Sequence, residues 1–301
     1  MSAFELFATV MRAVALGSIV VMTGALMFRW GVLERWPASS PAPLAEWNEL
    51  VARAGAWAAA CVLVVSPARL YAQARGLVMD GDPVIPMMEN VLHTMWGRGW
   101  LLQAGAAIAM LTALLFARRG SRGGWWLGIL SATAITLSPA LMGHAVAAER
   151  LFLVSVFSDW IHVAMAGAWL GALSMVALVA RSRSDAAGAH VATLIELFHP
   201  VALTCAMTLV TTGVISLLLR VEHLADLPHS AYGAILAAKL ALTFGIAMFG
   251  LHHARRGARL SRAGGTSGVV RSLAAETVLA ALVIATTAVL VGTAPPMSMT
   301  G

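Results

Sequence analysis

Eight long apolar runs, separated by shorter polar stretches, organise the chain. They cover residues 4–28, 49–71, 100–116, 125–142, 153–180, 201–219, 232–253 and 273–294. Each approaches the ~20 residues that an α-helix needs to cross the hydrocarbon core of a bilayer. The pattern therefore predicts an all-α, polytopic membrane bundle of about eight transmembrane helices. Residues 1–143 and residues 144–301 form its two predicted halves, with four helices in each.

Composition supports a membrane protein. The chain is 59% hydrophobic and only 11% charged, whereas soluble domains carry roughly 25% charged residues. The first apolar run has no basic stretch before it and no A-x-A-like cleavage site after it, so we expect a retained span and not a signal peptide. Cys61 and Cys205 each stand alone inside an apolar run, so we expect neither a CxxC motif nor a disulfide.

The formal net charge of +6 comes from arginines in the connections between apolar runs. The third, fifth and seventh connections hold Arg118, Arg119, Arg122, Arg181, Arg183, Arg255, Arg256, Arg259, Arg262 and Arg271. The even-numbered connections are poorer in arginine, so the positive-inside rule makes the odd ones cytoplasmic and turns both termini outward. Because these charges account for topology, we expect no nucleic-acid partner.

The connections predicted to face outward are rich in thioether and imidazole groups. The candidate ligands among them are Met87, Met88, His93, Met142 and His144, with Glu149 as a supporting carboxylate and Met297 and Met299 in the tail. Methionine selects Cu(I), and histidine binds either copper oxidation state. A single methionine is more often a packing residue. Because methionine and histidine recur on several outward segments, the pattern supports copper binding as well as it supports packing.

Ionisable residues inside the apolar runs form a second group of candidates. Asp159 and His162 are three residues apart, so they share one helix face that should point into the bundle. At ~1.5 Å per residue, His162, Lys239 and Arg12 lie about 13, 10 and 12 Å below the outer ends of their helices. In one interpretation an Asp159–Lys239 ion pair only pins two helices. In the other, His162 accepts an ion, Asp159 orients its ring, and Met165 offers a thioether further inward.

A series of short motifs runs in order through residues 142–296, about half of the chain. It comprises Asp159-Trp160-Ile161-His162, Ala168-Trp169-Leu170-Gly171, Thr212-Gly213, Tyr232-Gly233 with Lys239, and Arg271 and Glu276 before Pro295-Pro296. The series resembles the copper resistance D (CopD-like) family of inner-membrane proteins. The resemblance implies an eight-helix protein of the bacterial inner membrane, with periplasmic termini. It also implies that the protein accepts copper at the periplasmic face, passes it across the membrane, and works with a periplasmic copper-binding protein of the CopC type.

Two other functions remain open on the residues alone. A b-type haem protein would use His162 with His93 or His144 as axial ligands. A non-transporting assembly subunit would use its buried charges only to hold helices together. The sequence contains neither a phosphate-cradling glycine loop nor a nucleophile constellation, so we expect no enzymatic activity, and any transport would be passive or driven by a gradient.

Overall fold

A computed structural model describes residues 2–40, 42–79, 81–143, 151–182, 187–221, 224–252 and 266–296. Over these residues the chain forms ten α-helices and no strand. The helices are α1 (Ala3–Gly31), α2 (Leu44–Arg75), α3 (Val84–Leu92), α4 (Met95–Arg118), α5 (Arg122–Met142), α6 (Phe152–Ala166), α7 (Ala172–Ala180), α8 (Ala187–Arg220), α9 (Ala231–His252) and α10 (Thr266–Val291). Short 3-10 segments, Leu33–Arg35 and Leu224–His229, follow α1 and precede α9.

Eight of the described segments are long and apolar enough to cross a membrane, which confirms the predicted number. One of them, Phe152–Ala180, consists of α6, a π-helical segment at Gly167–Gly171, and α7. Large apolar side chains such as Trp57, Val64 and Phe244 are exposed on the outside of the bundle. Lipid would cover them, as expected of a multi-pass membrane protein.

Helix α1 lies at the centre of the bundle. It packs against α2 and α5, and on its other side against the π-helical segment, α7 and α10. Two apolar cores meet on it: Phe28 belongs to a cluster with Leu173 and Val176, and Met22 belongs to a cluster with Met110. Helix α1 therefore contacts helices from both sides of the predicted boundary at residue 143.

Glycines bring α1 and the fifth span into direct backbone contact. A Cβ atom on Gly171 would lie 2.0 Å from the carbonyl oxygen of Val20, and a Cβ atom on Gly24 would lie 2.1 Å from the carbonyl carbon of Gly171. Gly167 packs in the same way against the side chain of Thr23. Small residues allow such close helix crossings in membranes. The π-helical segment, whose five residues are all buried, forms this contact surface.

Helix α8 begins at Ala187, although the apolar run predicted a start at residue 201. The polar residues before Pro200 interrupt that run and hid the first part of the helix. Val191, Leu194, Ile195 and Phe198 nevertheless follow helical spacing, and all four are buried in the core cluster around α7. The predicted start was wrong because the first part of α8 is apolar on only one face and therefore does not form a continuous apolar run.

Helix α3 was not predicted. It occupies the connection between the second and third spans, which we expected to be a loop. Pro83 precedes the helix and Pro86 lies in its first turn, where backbone N–H groups have no partner within the helix. Apolar residues of α3 pack against α2 and α4, and this packing stabilises a helix too short to form alone.

Candidate functional site

Polar side chains of α6 and α8 meet inside the C-terminal half. Helix α8 presents Thr212, Ser216 and Arg220 at four-residue spacing, so they form one stripe along the helix. Asp159 and His162 of α6 both contact this stripe. The prediction that these two residues share a face directed into the bundle is confirmed.

Asp159 is held by two groups of α8. Ser216 Oγ donates a hydrogen bond to Asp159 Oδ1 over 2.9 Å, and the Arg220 guanidinium forms an ion pair with Asp159 Oδ2. The predicted Asp159–Lys239 pair is therefore wrong. Lys239 of α9 is attracted by Asp159 and repelled by Arg220, and it lies too far from Asp159 to form an ion pair with it. Arg220 is the last residue of α8, and its long side chain reaches the carboxylate of Asp159.

The His162 ring is contacted by Thr212 and not by Asp159. His162 Nδ1 lies 3.0 Å from Thr212 Oγ1. A Cβ atom added to Gly213 would lie 3.6 Å from His162 Cε1, so the ring lies beside Gly213 with room for about one methyl group between them. Among the described residues, the Asp159 carboxylate contacts Ser216 and Arg220 and makes no hydrogen bond to this ring, contrary to its predicted orienting role.

Ser216 and Arg220 were not predicted as members of this site. Thr212 was identified only as part of a motif that resembles the family. The four-residue spacing of Thr212, Ser216 and Arg220 along an apolar span was the available signal. Ser158 Oγ also contacts the Thr212 carbonyl oxygen over 3.2 Å, which adds a further contact between α6 and α8.

An apolar cluster lies beside the site, where α8 ends and α9 begins. It consists of Val221, Tyr232 and Leu290, with Leu217, Leu227, Ile235 and Leu236 packed against them. Leu217 follows Ser216 on α8, Val221 follows the end of that helix, and Tyr232 precedes Lys239 by about two turns of α9. The polar site is therefore bordered by apolar side chains at this end of the bundle.

Arg12 lies in a different part of the bundle. Its Nη1 donates a hydrogen bond over 2.7 Å to the carbonyl oxygen of Ala288, in the last turn of α10. A cation in this position stabilises the negative end of a helix. Arg12 also lines a cavity of about 520 Å³ between the start of α1 and the ends of α2 and α10, and it interacts electrostatically with Arg69.

A second group of polar side chains, joined by hydrogen bonds, crosses the N-terminal half. The Arg69 guanidinium donates to Gln103 Oε1, and Gln103 Nε2 donates to Ser138 Oγ over 2.9 Å. Gln103 and Ser138 are buried. This group links α2, α4 and α5 through hydrogen bonds that lipid cannot replace.

The methionines that we expected to face outward and that the structure describes are largely packing residues. Met87 and Met88 lie half-buried against an apolar cluster that includes Leu70 and Trp100. The Met142 side chain covers Gly99 of α4, where an added Cβ atom would lie 2.7 Å from Met142 Cγ. Met165, one turn inward of His162, packs against the large core cluster.

Among the remaining candidates, the structure describes only His93, and its helix does not pack against the helix of His162. His93 is exposed at the end of α3, which packs against α2 and α4, whereas α6 packs against α5 and α8. His144 and Glu149 lie outside the described residues. Within the described part of the chain, no three His, Cys, Asp or Glu side chains come close enough to hold a metal ion together.

Comparison with known proteins covers both halves of the chain. The family profile described as "Copper resistance protein D-like, N-terminal domain" matches residues 1–154, and the one described as "Copper resistance protein D" matches residues 192–290. The chain belongs to the copper resistance protein D family. The first match extends the similarity to the N-terminal half, which the motif series did not reach. Thr212, Ser216, Arg220 and Lys239 lie within the second matched region, whereas Asp159 and His162 lie between the two.

A curated relative supports a role connected with copper. The copper transport protein CutJ of Bacillus subtilis (strain 168) is 26% identical over 206 residues, which cover 67% of this chain and 37% of the relative. The chain therefore spans well under half the length of this relative. No solved structure matches the chain. Family and fold together make this a copper-related, multi-pass membrane protein.

Proposed function

We propose that the protein accepts copper at the periplasmic face of the bacterial inner membrane and passes it across through the site at His162. The observation that carries this proposal is the position of His162. Its imidazole projects from a membrane span toward the polar stripe of α8 and lies beside Gly213. Ionisable residues inside a span usually mark a pathway or a bound ligand, and the family and the relative indicate copper as the ligand.

The chemistry of the site fits copper as a cargo. A deprotonated imidazole nitrogen binds copper in either oxidation state, and Met165 offers a thioether that favours Cu(I). Arg220 and Lys239 oppose a single carboxylate at this level. Excess positive charge repels a divalent ion more strongly than a monovalent one. We therefore propose Cu(I) as the form that passes His162, with water or thioethers completing its coordination.

The outer face would collect the ion. Met87, Met88, His93, Met142 and His144 belong to segments that we place on the periplasmic side, where a CopC-like periplasmic copper-binding protein would deliver copper. In this proposal, the apolar cluster around Tyr232 lies between these segments and the polar site. Copper then passes the cluster only when α9 moves relative to α8.

A non-transporting assembly subunit is the second candidate function. The hydrogen bond and ion pair that occupy both oxygens of Asp159 favour it, because they hold α6 against α8 without any ligand. The haem alternative has less support, since His93 and His162 lie on helices that pack against different neighbours.

Copper binding by the His162→Gln variant tests the proposal. Glutamine keeps a similar size and its hydrogen-bonding capacity but is a far poorer copper ligand, so copper bound per folded molecule and copper uptake should both fall. Expression and thermal stability should stay close to wild type. His199→Gln is the matched control, because His199 is an exposed histidine of α8, and this variant should bind copper normally.

Three outcomes would contradict the proposal. Unchanged copper binding with a collapse of stability would make His162 a structural histidine. Protein purified without chelator but lacking stoichiometric copper would favour the assembly subunit. A Soret band in the absorbance spectrum would favour the haem protein.

Membrane orientation gives a separate prediction. If the odd-numbered connections are cytoplasmic, a reporter active only in the cytoplasm should be silent when fused after Gly301 and active when inserted at Gly264, between α9 and α10. Activity of both fusions in bacterial cells is the measurement. The reverse pattern would place the outward methionines and histidines on the cytoplasmic side.

A further inference from the structure

We propose that Thr212 is a positioning residue that fixes the tautomer of His162, so that Nδ1 carries the hydrogen and Nε2 is the copper ligand. This inference depends on the proposed function only in naming copper as the ligand. The tautomer itself follows from the hydrogen bonds around Thr212 and can be measured in protein without metal.

The hydroxyl of Thr212 has one hydrogen to donate. Its oxygen lies 2.8 Å from the carbonyl oxygen of Thr208 and 3.3 Å from that of Leu209, both in the preceding turn of α8. Carbonyl oxygens can only accept, so the hydroxyl hydrogen is directed toward the helix backbone. This arrangement is common for threonine inside helices.

The remaining partner of the Thr212 hydroxyl is His162. Because the hydroxyl hydrogen is already used, Thr212 Oγ1 must accept from His162 Nδ1 across their 3.0 Å separation. A neutral imidazole has one hydrogen on its two nitrogens. With that hydrogen on Nδ1, the lone pair of Nε2 is available for a metal ion.

The surroundings hold the ring in this orientation. Thr212 is 7% exposed, so water has little access to compete for its hydroxyl. Gly213 faces the Cε1 side of the ring, where an added Cβ atom would come into van der Waals contact with it. The Ser158 hydroxyl contacts the Thr212 carbonyl oxygen, which keeps the two helices in register. Among the described residues, the Asp159 carboxylate contacts Ser216 and Arg220 and not the ring.

Such a partner has a known effect on metal binding. A hydrogen bond from the distal ring nitrogen sets the tautomer and raises the basicity of the ligating nitrogen, and its loss weakens metal affinity about 10- to 100-fold. We expect Thr212→Val, which keeps the shape of the side chain and removes the hydroxyl, to lower the Cu(I) affinity by that factor. Thr212→Ser, which keeps the hydroxyl, should stay within about threefold of wild type.

The experiment combines two measurements on full-length protein in detergent. Nitrogen-15 NMR of histidine-labelled, copper-free protein reports which ring nitrogen is protonated, and comparison with His162→Gln identifies the His162 signals. Competition with a Cu(I)-specific chelator then gives the affinity. Thr211→Val is the matched control, because exposed Thr211 makes the same bond to its own helix, to Met207, and contacts no histidine.

The expected result is an Nδ1–H ring in wild type and in Thr212→Ser, with the Nε2–H form appearing in Thr212→Val. An Nε2–H ring in wild type would overturn the inference even if no variant folds, and so would a Thr212→Val protein with unchanged tautomer and affinity. If His162→Gln binds Cu(I) as tightly as wild type, the proposed function fails, while the tautomer measurement still decides the role of Thr212.

Discussion

Replacing Gly171 by alanine should strongly destabilise the protein by forcing α1 away from the fifth span. The new Cβ atom would lie 2.0 Å from the backbone oxygen of Val20 and 2.7 Å from Cα of Gly24. These are backbone atoms of the central helix, so no side chain can rotate away, and α1 must separate from the π-helical segment. Overpacking usually costs about 1–3 kcal/mol, and more where the structure cannot relax. We expect at least the upper end of that range.

This effect can be measured by heating the protein in detergent and recording the fraction that remains monodisperse at each temperature. Gly105→Ala is the matched control: it adds the same methyl group to α4 at a position with no atom within 4 Å. It should leave stability unchanged or raise it slightly, since alanine is the better helix former. Equal stability of the two variants would show that α1 and the fifth span are not in backbone contact.

The second large effect is expected at the Asp159–Arg220 pair. Removing one partner of a buried ion pair leaves the other charge without compensation, which costs about 3–5 kcal/mol. The two side chains retain 16% and 22% exposure, so Asp159→Asn and Arg220→Met should each cost about 3 kcal/mol, the lower end of the range. The double variant should recover a large part of this loss. Melting temperatures of the wild type, the two single variants and the double variant form the cycle that isolates the coupling.

Lys239 provides the comparison within this experiment. It interacts with Asp159 electrostatically but does not form an ion pair with it, so a cycle of Asp159→Asn with Lys239→Met should give a smaller coupling energy. A larger coupling to Lys239 than to Arg220 would contradict the arrangement seen here. It would restore the pairing that the sequence suggested.

The number and class of the helices could be read from the sequence because they depend on local properties. A run of ~20 apolar residues has no stable alternative to a helix in a bilayer. The polar face of α6 was also readable, since Asp159 and His162 must turn away from lipid wherever the neighbouring helices lie. Polar or proline-containing helical segments were harder to find. The first part of α8 and the whole of α3 are helical because one face packs against other helices, and apolar run length does not record this.

The tertiary structure decided which polar side chains contact one another. Asp159 could have paired with Lys239 on depth alone, but the rotation of α8 brings Ser216 and Arg220 to the carboxylate and Thr212 to the imidazole. Arg12, expected at a similar depth, instead caps α10 in another part of the bundle. Depth follows from position along a helix, whereas the facing partner depends on how each helix is rotated and which neighbour it crosses. The glycine contact of α1 with the π-helical segment sets one of those crossings, through atoms that are close only once the bundle is assembled.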